Sequence, residues 1–360
     1  MMASGALSEN NPAPGPVCAL KRTRMHREAG EVAESIARQQ ARNAALIGAV
    51  AGKLKRLAPR FIATCARGSS DHAATYAKYL FETRMGLAVC SFAPSVASLY
   101  ATQTDMRAAV FIAISQSGRS PDLISASRLA KTGGACVVAV VNDEASPLAS
   151  LAHHVVPIGA GPEISVAATK SCVGAMSALY HLCAKWRGDD AMLDALAALP
   201  QTLSQAWAAD WPQALAALRR VRQALILSRG IGLAGAQEAA LKLKETCMIQ
   251  AEGFSSAEVR HGPMTIVGEE FPVLAIATFD AAQPSIDSVS REFMDCGARV
   301  LMAGEPLDAA LCLPTPRARD SHLQPLVFLQ AFYKFANALS CARGLDPDRP
   351  RNLSKVTQTV

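Results

Sequence analysis

The chain has 360 residues, of which half are hydrophobic, and its formal net charge is +6. This length is sufficient for two domains with well-packed cores. The small charge excess is scattered, and only 5 Tyr and 3 Trp could stack on bases, so nucleic-acid binding is not indicated, whereas an anionic small molecule is compatible with the charge. No stretch approaches the roughly 18 consecutive apolar residues of a spanning helix, so no membrane partner is expected.

The ten cysteines form no C-x-x-C pair and no spacing typical of a metal site. Several of them, including Cys65, Cys136 and Cys183, lie inside apolar runs, where cysteine behaves as a small hydrophobic residue. This usage favours a reducing, cytoplasmic location and predicts no bound metal. Residues 1–24 are rich in Pro, Gly, Asn and Ser and lack the apolar region of a signal peptide, which predicts a disordered leader.

Short apolar runs alternate with helical patterns over the first half of the chain. One or two helices are predicted over 25–55. Strands are predicted at 60–65, 88–92, 110–114, 136–141 and 155–158, and helices at 72–82, 94–100, 123–131, 146–152 and 166–186. Strands that alternate with helices in this way indicate an open parallel α/β sheet, and ligands of such sheets bind at the carboxyl ends of the strands.

The second half repeats this pattern after a helical connector at 189–221, which we expect to be broken at Pro200 and Pro212. A strand at 224–228, an Arg-Gly turn and a helix ending in Glu245 match the strand, Arg-Gly turn and helix of 60–82. Later strands are predicted at 273–277 and 298–302, and a closing helix at 323–339. The repeat predicts a duplicated α/β domain, with each sheet parallel and covered by helices on both faces, as in flavodoxin-like three-layer folds.

The segment AVFIAISQSGRSPD, at 109–122, is a buried strand that ends in a polar turn before a helix. Unpaired N–H groups and the helix dipole favour an anion at such a point, and hydroxyls with a glycine let a phosphate approach closely. An ordinary serine-rich turn and N-cap is the alternative interpretation. The turn after the first strand, Arg-Gly-Ser-Ser-Asp at 67–71, is expected at the same sheet edge.

Five side chains are candidates for acid–base chemistry. Glu238, Lys242 and Glu245 are spaced to share one helix face. They could form a solvated salt-bridged face or, since the helix is otherwise largely apolar, a proton shuttle with a raised carboxylate pKa. His261 could be structural or an acid–base group. Lys355 could belong to a frayed tail or fold over a site and place its amine near a carbonyl.

Six motifs occur in order along the chain: RGSSDHA, ISQSGRSPD, VAATKS, ALKLKE, SSAEVRHGP and NLSKVTQTV. In this order they resemble the sugar isomerase (SIS) domain family, duplicated as in the isomerase half of glucosamine-6-phosphate synthase. The resemblance runs from about residue 25 to residue 360. It implies a leader, two tandem SIS domains joined by a helical connector, and a tail over the active site, with bounds 1–24, 25–188, 189–221, 222–345 and 346–360.

The resemblance also implies a role for each matching position. Val166 and Ala167 line the sugar, and the phosphosugar site comprises Ser70, Ser115, Gln116, Ser117 and Ser120. Glu245 moves a proton between C1 and C2 of the sugar, with Lys242 beside it. His261 comes from the neighbouring subunit of a homodimer and assists ring opening, and Lys355 contacts the open-chain sugar. Proton transfer suffices for this chemistry, so neither a metal nor a redox cofactor is expected.

Two departures from the synthase pattern bear on the reaction. The synthase begins with a glutaminase domain, for which this chain has only the short leader, so we expect no unaided use of glutamine. Arg119 stands where the synthase usually has an acidic residue, and the Gly-Arg-Ser-Pro-Asp run resembles SIS-type glucosamine-6-phosphate deaminases, which yield fructose 6-phosphate and ammonia. Three alternatives stay open: an isomerase or deglycase for a galactosamine or fructosamine phosphate, a glutamine-independent synthase-like isomerase, and a non-catalytic phosphosugar sensor.

Overall fold

The computed structural model describes residues 23–100 and 102–355. In the first half, five strands form one parallel sheet in the order β2-β1-β3-β4-β5. Its elements are α1 (Arg24–Gly30), α2 (Val32–Leu57), β1 (Phe61–Cys65), α3 (Ser69–Met85), β2 (Val89–Ser91), α4 (Pro94–Ser98), β3 (Ala109–Ser115), α5 (Pro121–Thr132), β4 (Cys136–Val141), α6 (Pro147–Leu151), β5 (His154–Pro157) and α7 (Lys170–Arg187).

The second half forms a second parallel sheet, in the order β10-β9-β8-β6-β7. Its elements are α8 (Asp190–Ala208), α9 (Pro212–Leu218), β6 (Gln223–Ser228), α10 (Gly232–Cys247), β7 (Gln250–Ser255), β8 (Pro272–Ile276), α11 (Gln283–Asp295), β9 (Arg299–Ala303), β10 (Leu311–Leu313) and α12 (Gln324–Ala342). Read from β7 to β10, this order repeats that of the first sheet. The prediction of an α/β protein with two parallel sheets is confirmed.

One large core joins the two halves of the described chain. It contains the inward faces of both sheets and the helices α2, α3, α7, α8, α10 and α12 between them. A smaller core lies on the outer face of each sheet, under α5 and α6 in the first half and under α11 in the second. Because α3 and α10 pack against each other inside the large core, the end of each helix reaches the other half of the molecule.

Three local predictions were wrong, and they concern the helices α7, α8 and α3. Helix α7 begins at Lys170 rather than at 166, because the Glu163 carboxylate accepts the Thr169 and Ser171 N–H groups and fixes the first turn there. Helix α8 runs through Pro200 without a break. A proline leaves the carbonyl four residues earlier without its helical donor, and here the Gln40 side chain donates to the Leu196 carbonyl instead, at 2.7 Å.

Helix α3 begins at Ser69, three residues before the predicted start, so the two serines of the turn after β1 form its first turn. The second half also contains three elements that the pattern did not predict, β7, α11 and β10. Among the described residues, no helix has both the length and the apolar character needed to cross a membrane.

Candidate functional site

A cavity of about 290 Å³ opens at the carboxyl edge of the first sheet. The turn after β1, the turn after β3 and the loop before α7 form three of its walls. The end of α10 and residues 353–355 close it from the other side. The site is therefore built from segments that lie far apart in the sequence.

The turn after β3 supplies most of the hydroxyl groups. Ser115, Gln116, Ser117 and Ser120 all line the cavity. The Ser115 hydroxyl accepts the Gly118 N–H at 3.0 Å, whereas Ser120 precedes α5 without making a side-chain cap bond. The alternative of an ordinary serine N-cap therefore does not describe Ser120. Gly118 has a φ of +62°, and a Cβ there would lie 2.1 Å from Ser146 Oγ, so the turn requires glycine.

The turn after β1 forms the neighbouring wall. Ser70 lies in the first turn of α3 and lines the cavity, as does Arg67 at its mouth. The Arg67 Nε atom donates to the buried carboxylate of Asp122 at 2.9 Å. The sequence prediction for this turn covered only its hydroxyls and did not include Arg67 as a cation beside an anion site. Arg67 directly follows β1 at the carboxyl edge of the sheet, and this position could have indicated that it lies near the ligand.

Glu245 reaches the cavity from the other half of the molecule. It lies in the last turn of α10, so it is far from the carboxyl edge of its own sheet. The packing of α10 against α3 carries its carboxylate to the first sheet instead. Lys242 is fully buried, does not line the cavity, and donates a hydrogen bond to Glu245.

Lys242 and Glu238 belong to a buried charge network, so the alternative of a solvated salt-bridged face is wrong for both. Glu238 accepts hydrogen bonds from the ring of His72 at 2.7 Å and from the Tyr333 hydroxyl at 3.1 Å, and lies 3.5 Å from Lys242. Burial would raise the pKa of Glu238, but Lys242 and these donors outweigh it, and the pKa is lowered. Burial opposes the charge on Lys242, yet its two carboxylate neighbours raise its pKa above the ordinary lysine value.

The loop before α7 brings Val166 and Ala168 to the cavity. Ala167, which was predicted to line the sugar, is fully buried and lies outside the lining. Glu163, in the same loop, is buried and accepts hydrogen bonds from Thr169, Ser171 and Lys355. Burial would raise the pKa of Glu163, but the Lys355 ammonium and the donors from Ser171 and Thr169 outweigh it and lower the pKa.

Lys355 lines the cavity in a folded segment. Its amine donates to the Ser165 carbonyl at 2.7 Å and to Glu163 Oε2 at 3.3 Å. These contacts favour a folded rather than a frayed segment at 353–355. The last five residues of the predicted tail, 356–360, and residues 1–22 of the predicted leader lie outside the described residues.

The structure does not bring His261 to the cavity within one chain. His261 ends a short 3₁₀ helix, Glu258–His261, and is exposed. Arg119 also points elsewhere, since its guanidinium donates to Asp143 at 2.8 Å and it does not line the cavity. Among the described residues, no group of three or more His, Cys, Asp and Glu is arranged to hold a metal ion.

The sequence profile of the SIS domain matches residues 58–185. A solved structure from Silicibacter pomeroyi DSS-3, provisionally named a phosphosugar isomerase, is 43% identical, and the match covers 91% of this chain and 100% of that one with a TM-score of 0.87. The chain belongs to the SIS family. The SIS profile covers the first sheet, whose carboxyl edge forms the cavity.

Other relatives of this SIS protein have more specific names. The glutamine–fructose-6-phosphate aminotransferase (isomerizing) of Methanothermobacter thermautotrophicus is 34% identical over 301 residues, which are 80% of this chain and 50% of that relative. The chain thus spans about half the length of the curated relatives it matches. A glucosamine-6-phosphate deaminase from Thermotoga maritima shares the fold, at 19% identity and a TM-score of 0.75, over 94% of this chain and 100% of that one.

Proposed function

We propose that the protein is a glucosamine-6-phosphate deaminase and isomerase, which converts glucosamine 6-phosphate and water to fructose 6-phosphate and ammonia. One observation supports this most strongly. The Glu245 carboxylate and the Lys355 amine face the same cavity as the hydroxyls of Ser70, Ser115 and Ser117. An anion site and an acid–base pair therefore share one cavity.

The phosphate docks on the turn after β3, where the Ser115, Ser117 and Ser120 hydroxyls line the cavity. The N-terminal end of α5 begins directly after this turn and adds its dipole. Fixing the phosphate orients the opposite end of the sugar toward Glu245 and converts the proton transfer to an intramolecular step. Arg67 contributes positive charge at the cavity mouth.

The reaction itself needs only proton transfers and water. His261 of a second copy assists ring opening. Glu245 removes the proton from C2 to give an enolamine and returns a proton to C1, which leaves an imine at C2. Water adds to the imine carbon and ammonia leaves, which gives the ketose. Lys355 holds the oxygen of the open chain, and Lys242 orients Glu245 through its buried ammonium.

The proposal includes the assembly of the site. The second sheet repeats the strand order of the first, which supports a second SIS domain, with the two domains joined by α8 and α9. A homodimer would supply His261 to the cavity, and the exposure of His261 is compatible with a contact to a second copy of the chain.

A second candidate runs the same chemistry in the direction of synthesis. The curated relatives at 31–34% identity are named glutamine–fructose-6-phosphate aminotransferase (isomerizing). Because the proposed proton shuttle would serve both directions, the cavity alone does not separate them.

The test is a product assay on the purified chain. Glucosamine 6-phosphate, galactosamine 6-phosphate and fructosamine 6-phosphate are each incubated with the protein, and ammonia and ketose phosphate are measured. Ammonia from glucosamine 6-phosphate supports the proposal. Turnover of another amino sugar phosphate alone, or synthesis from fructose 6-phosphate and ammonia without the reverse release, would overturn it.

A further inference from the structure

A second cavity lies at the carboxyl edge of the second sheet, with a volume of about 540 Å³. The last turn of α3, the beginning of α8, the turn after β8 and the loop before α12 form its walls. It contains no residue of the first cavity.

The walls of the two cavities correspond to one another through the repeat. The end of α3 takes the place of the end of α10, and the turn after β8 takes the place of the turn after β3. The loop between β10 and α12 corresponds to the loop between β5 and α7. The beginning of α8, which follows α7, corresponds to the segment 353–355 that follows α12. The second cavity is thus the counterpart of the first in the other half of the molecule.

The chemistry of the turn after β8 differs from that of the turn after β3. The Gln283 side-chain oxygen accepts the N–H groups of Thr278 and Phe279, at 2.9 and 3.2 Å. These two N–H groups belong to the turn after β8, the counterpart of the turn that supplies the hydroxyls of the first cavity, and the Gln283 side chain already occupies them. At these two positions the turn therefore offers an anion no free backbone donor, and the side chains of the cavity are the groups that could hold one.

Two guanidinium groups are available for that purpose. Arg317 and Arg319 line the cavity, and neither makes a hydrogen bond or ion pair within residues 23–100 and 102–355. Arg317 lies over the Phe279 ring, 5.1 Å from its centroid. Phe279 has a φ of +54°, a conformation that a bulky side chain rarely adopts and that concentrates at ligand sites.

The acidic groups of the cavity are mostly neutralised inside the protein. Asp320 accepts hydrogen bonds from Arg84 at 2.6 Å and from the Tyr180 hydroxyl at 2.6 Å. Asp189 caps α8 and pairs with Arg187 at 3.0 Å. Asp194 is the remaining carboxylate of the lining. Two arginines against one aspartate leave an excess of positive charge facing the cavity.

We propose that this second cavity binds a phosphomonoester. Arg317 and Arg319 donate hydrogen bonds to the phosphate, and Asp194 accepts a hydrogen bond from a hydroxyl of the ligand. Guanidinium groups match phosphate geometry in pairs of parallel hydrogen bonds, and such charge-assisted bonds are the strongest available to an exposed anion. A cavity of about 540 Å³ has room for a six-carbon sugar phosphate and for free phosphate.

The experiment is calorimetric titration of the full chain with fructose 6-phosphate and, separately, with inorganic phosphate. The variant S115A/S117A removes hydroxyls of the first cavity, and R317A/R319A removes the cations of the second. Arg128→Ala is the matched control, because Arg128 is exposed on α5 and lines neither cavity. We expect S115A/S117A to retain one site per chain for at least one probe, and adding R317A/R319A to weaken that site at least tenfold.

The two probes distinguish the source of the phosphate. Tighter binding of fructose 6-phosphate identifies a sugar phosphate, and equal or tighter binding of inorganic phosphate identifies the free anion; both outcomes support the site. The proposal would be overturned if R317A/R319A bound the probes as strongly as Arg128→Ala does. Loss of all binding in S115A/S117A would also overturn it. Neither result depends on turnover, so the proposed reaction could fail while this site stands.

Discussion

Lys242→Met tests the buried charge network that supports the candidate site. The substitution keeps an unbranched side chain of similar length and removes the ammonium that lies between Glu238 and Glu245. Removing one partner of a buried ion pair costs about 3–5 kcal/mol. Glu238 keeps its hydrogen bonds from His72 and Tyr333, so we expect the lower end of that range, which lowers the melting temperature of a chain of this size by roughly 4 °C.

The pH dependence of the effect follows from two pKa shifts. The pKa of Lys242 is raised, so its stabilisation is complete below the pKa of an unfolded lysine, about 10.4, and is lost as pH rises through the folded value. The pKa of Glu238 is lowered, so its stabilisation is present above about 4.3 and is lost as pH falls through the folded value. In Lys242→Met the ammonium no longer opposes the effect of burial on Glu238, so the pKa of Glu238 should rise, and between about pH 5 and pH 9 the stability difference from the wild type should grow as pH rises.

Thermal unfolding of the variant at several pH values in that window measures the effect. Lys244→Met is the matched control, because Lys244 lies on the same helix and is exposed. A melting temperature of Lys242→Met within about 1 °C of that of Lys244→Met would contradict the expected cost, since a buried charge that loses its counter-ion destabilises the fold by more than this.

Four further predictions concern the cavity and are tested by steady-state kinetics on glucosamine 6-phosphate. Ser117→Ala should raise KM about tenfold with little change in kcat, because a phosphate contact is made equally in the ground and transition states; an unchanged KM would remove Ser117 from the site. Lys355→Met should lower kcat/KM by at least about tenfold, since its amine is partly exposed at the cavity; wild-type kinetics would contradict this. Arg119→Ala should change KM by less than about twofold, because Arg119 pairs with Asp143 outside the cavity; a large rise would place it on the phosphate. Coexpressed Glu245→Gln and His261→Ala chains, each inactive alone, should recover roughly a quarter of wild-type activity if the site is shared between two copies, whereas no recovery would argue against sharing.

The strand β3 and the turn after it, where we propose that the phosphate binds, could be predicted because their sequence signal is local. An apolar run that stops at serines and a glycine marks the end of a buried strand wherever it occurs. The end of β3 at Ser115 and the start of α5 at Pro121 follow from it within a residue or two. The repeat of this pattern in the second half predicted the second sheet in the same way.

The position of Glu245 could not be predicted from its spacing, because it depends on contacts between distant elements, and only the family resemblance assigned it to the sugar. Its helix spacing showed a shared face with Lys242, but only the packing of α10 on α3 shows that this face meets the first sheet. Strand β7, which the sequence pattern did not predict, also depends on contacts with distant elements. It contains Glu252 and Gly253, which weaken any strand pattern, and a Cβ at Gly253 would lie 2.8 Å from the α10 backbone.

The start of α7 shows how one buried side chain can override a helical pattern. The apolar residues from Val166 onward fit a helix, yet Glu163 accepts the first free N–H groups at Thr169 and Ser171. The loop that results exposes Val166 to the cavity and leaves room for Lys355 beside Ser165. Nothing in the sequence spacing links Glu163 to Lys355, which lies 192 residues away.

The most direct test of the proposed reaction is ammonia release by Glu245→Gln. A positioned general base contributes about 10²–10⁴-fold to the rate, so the variant should release ammonia from glucosamine 6-phosphate at least about a hundredfold more slowly than the wild type. It should still bind fructose 6-phosphate within about threefold of the wild-type affinity, because the turn after β3 and its hydroxyls are untouched. Ammonia release within tenfold of the wild-type rate would show that Glu245 does not move the proton.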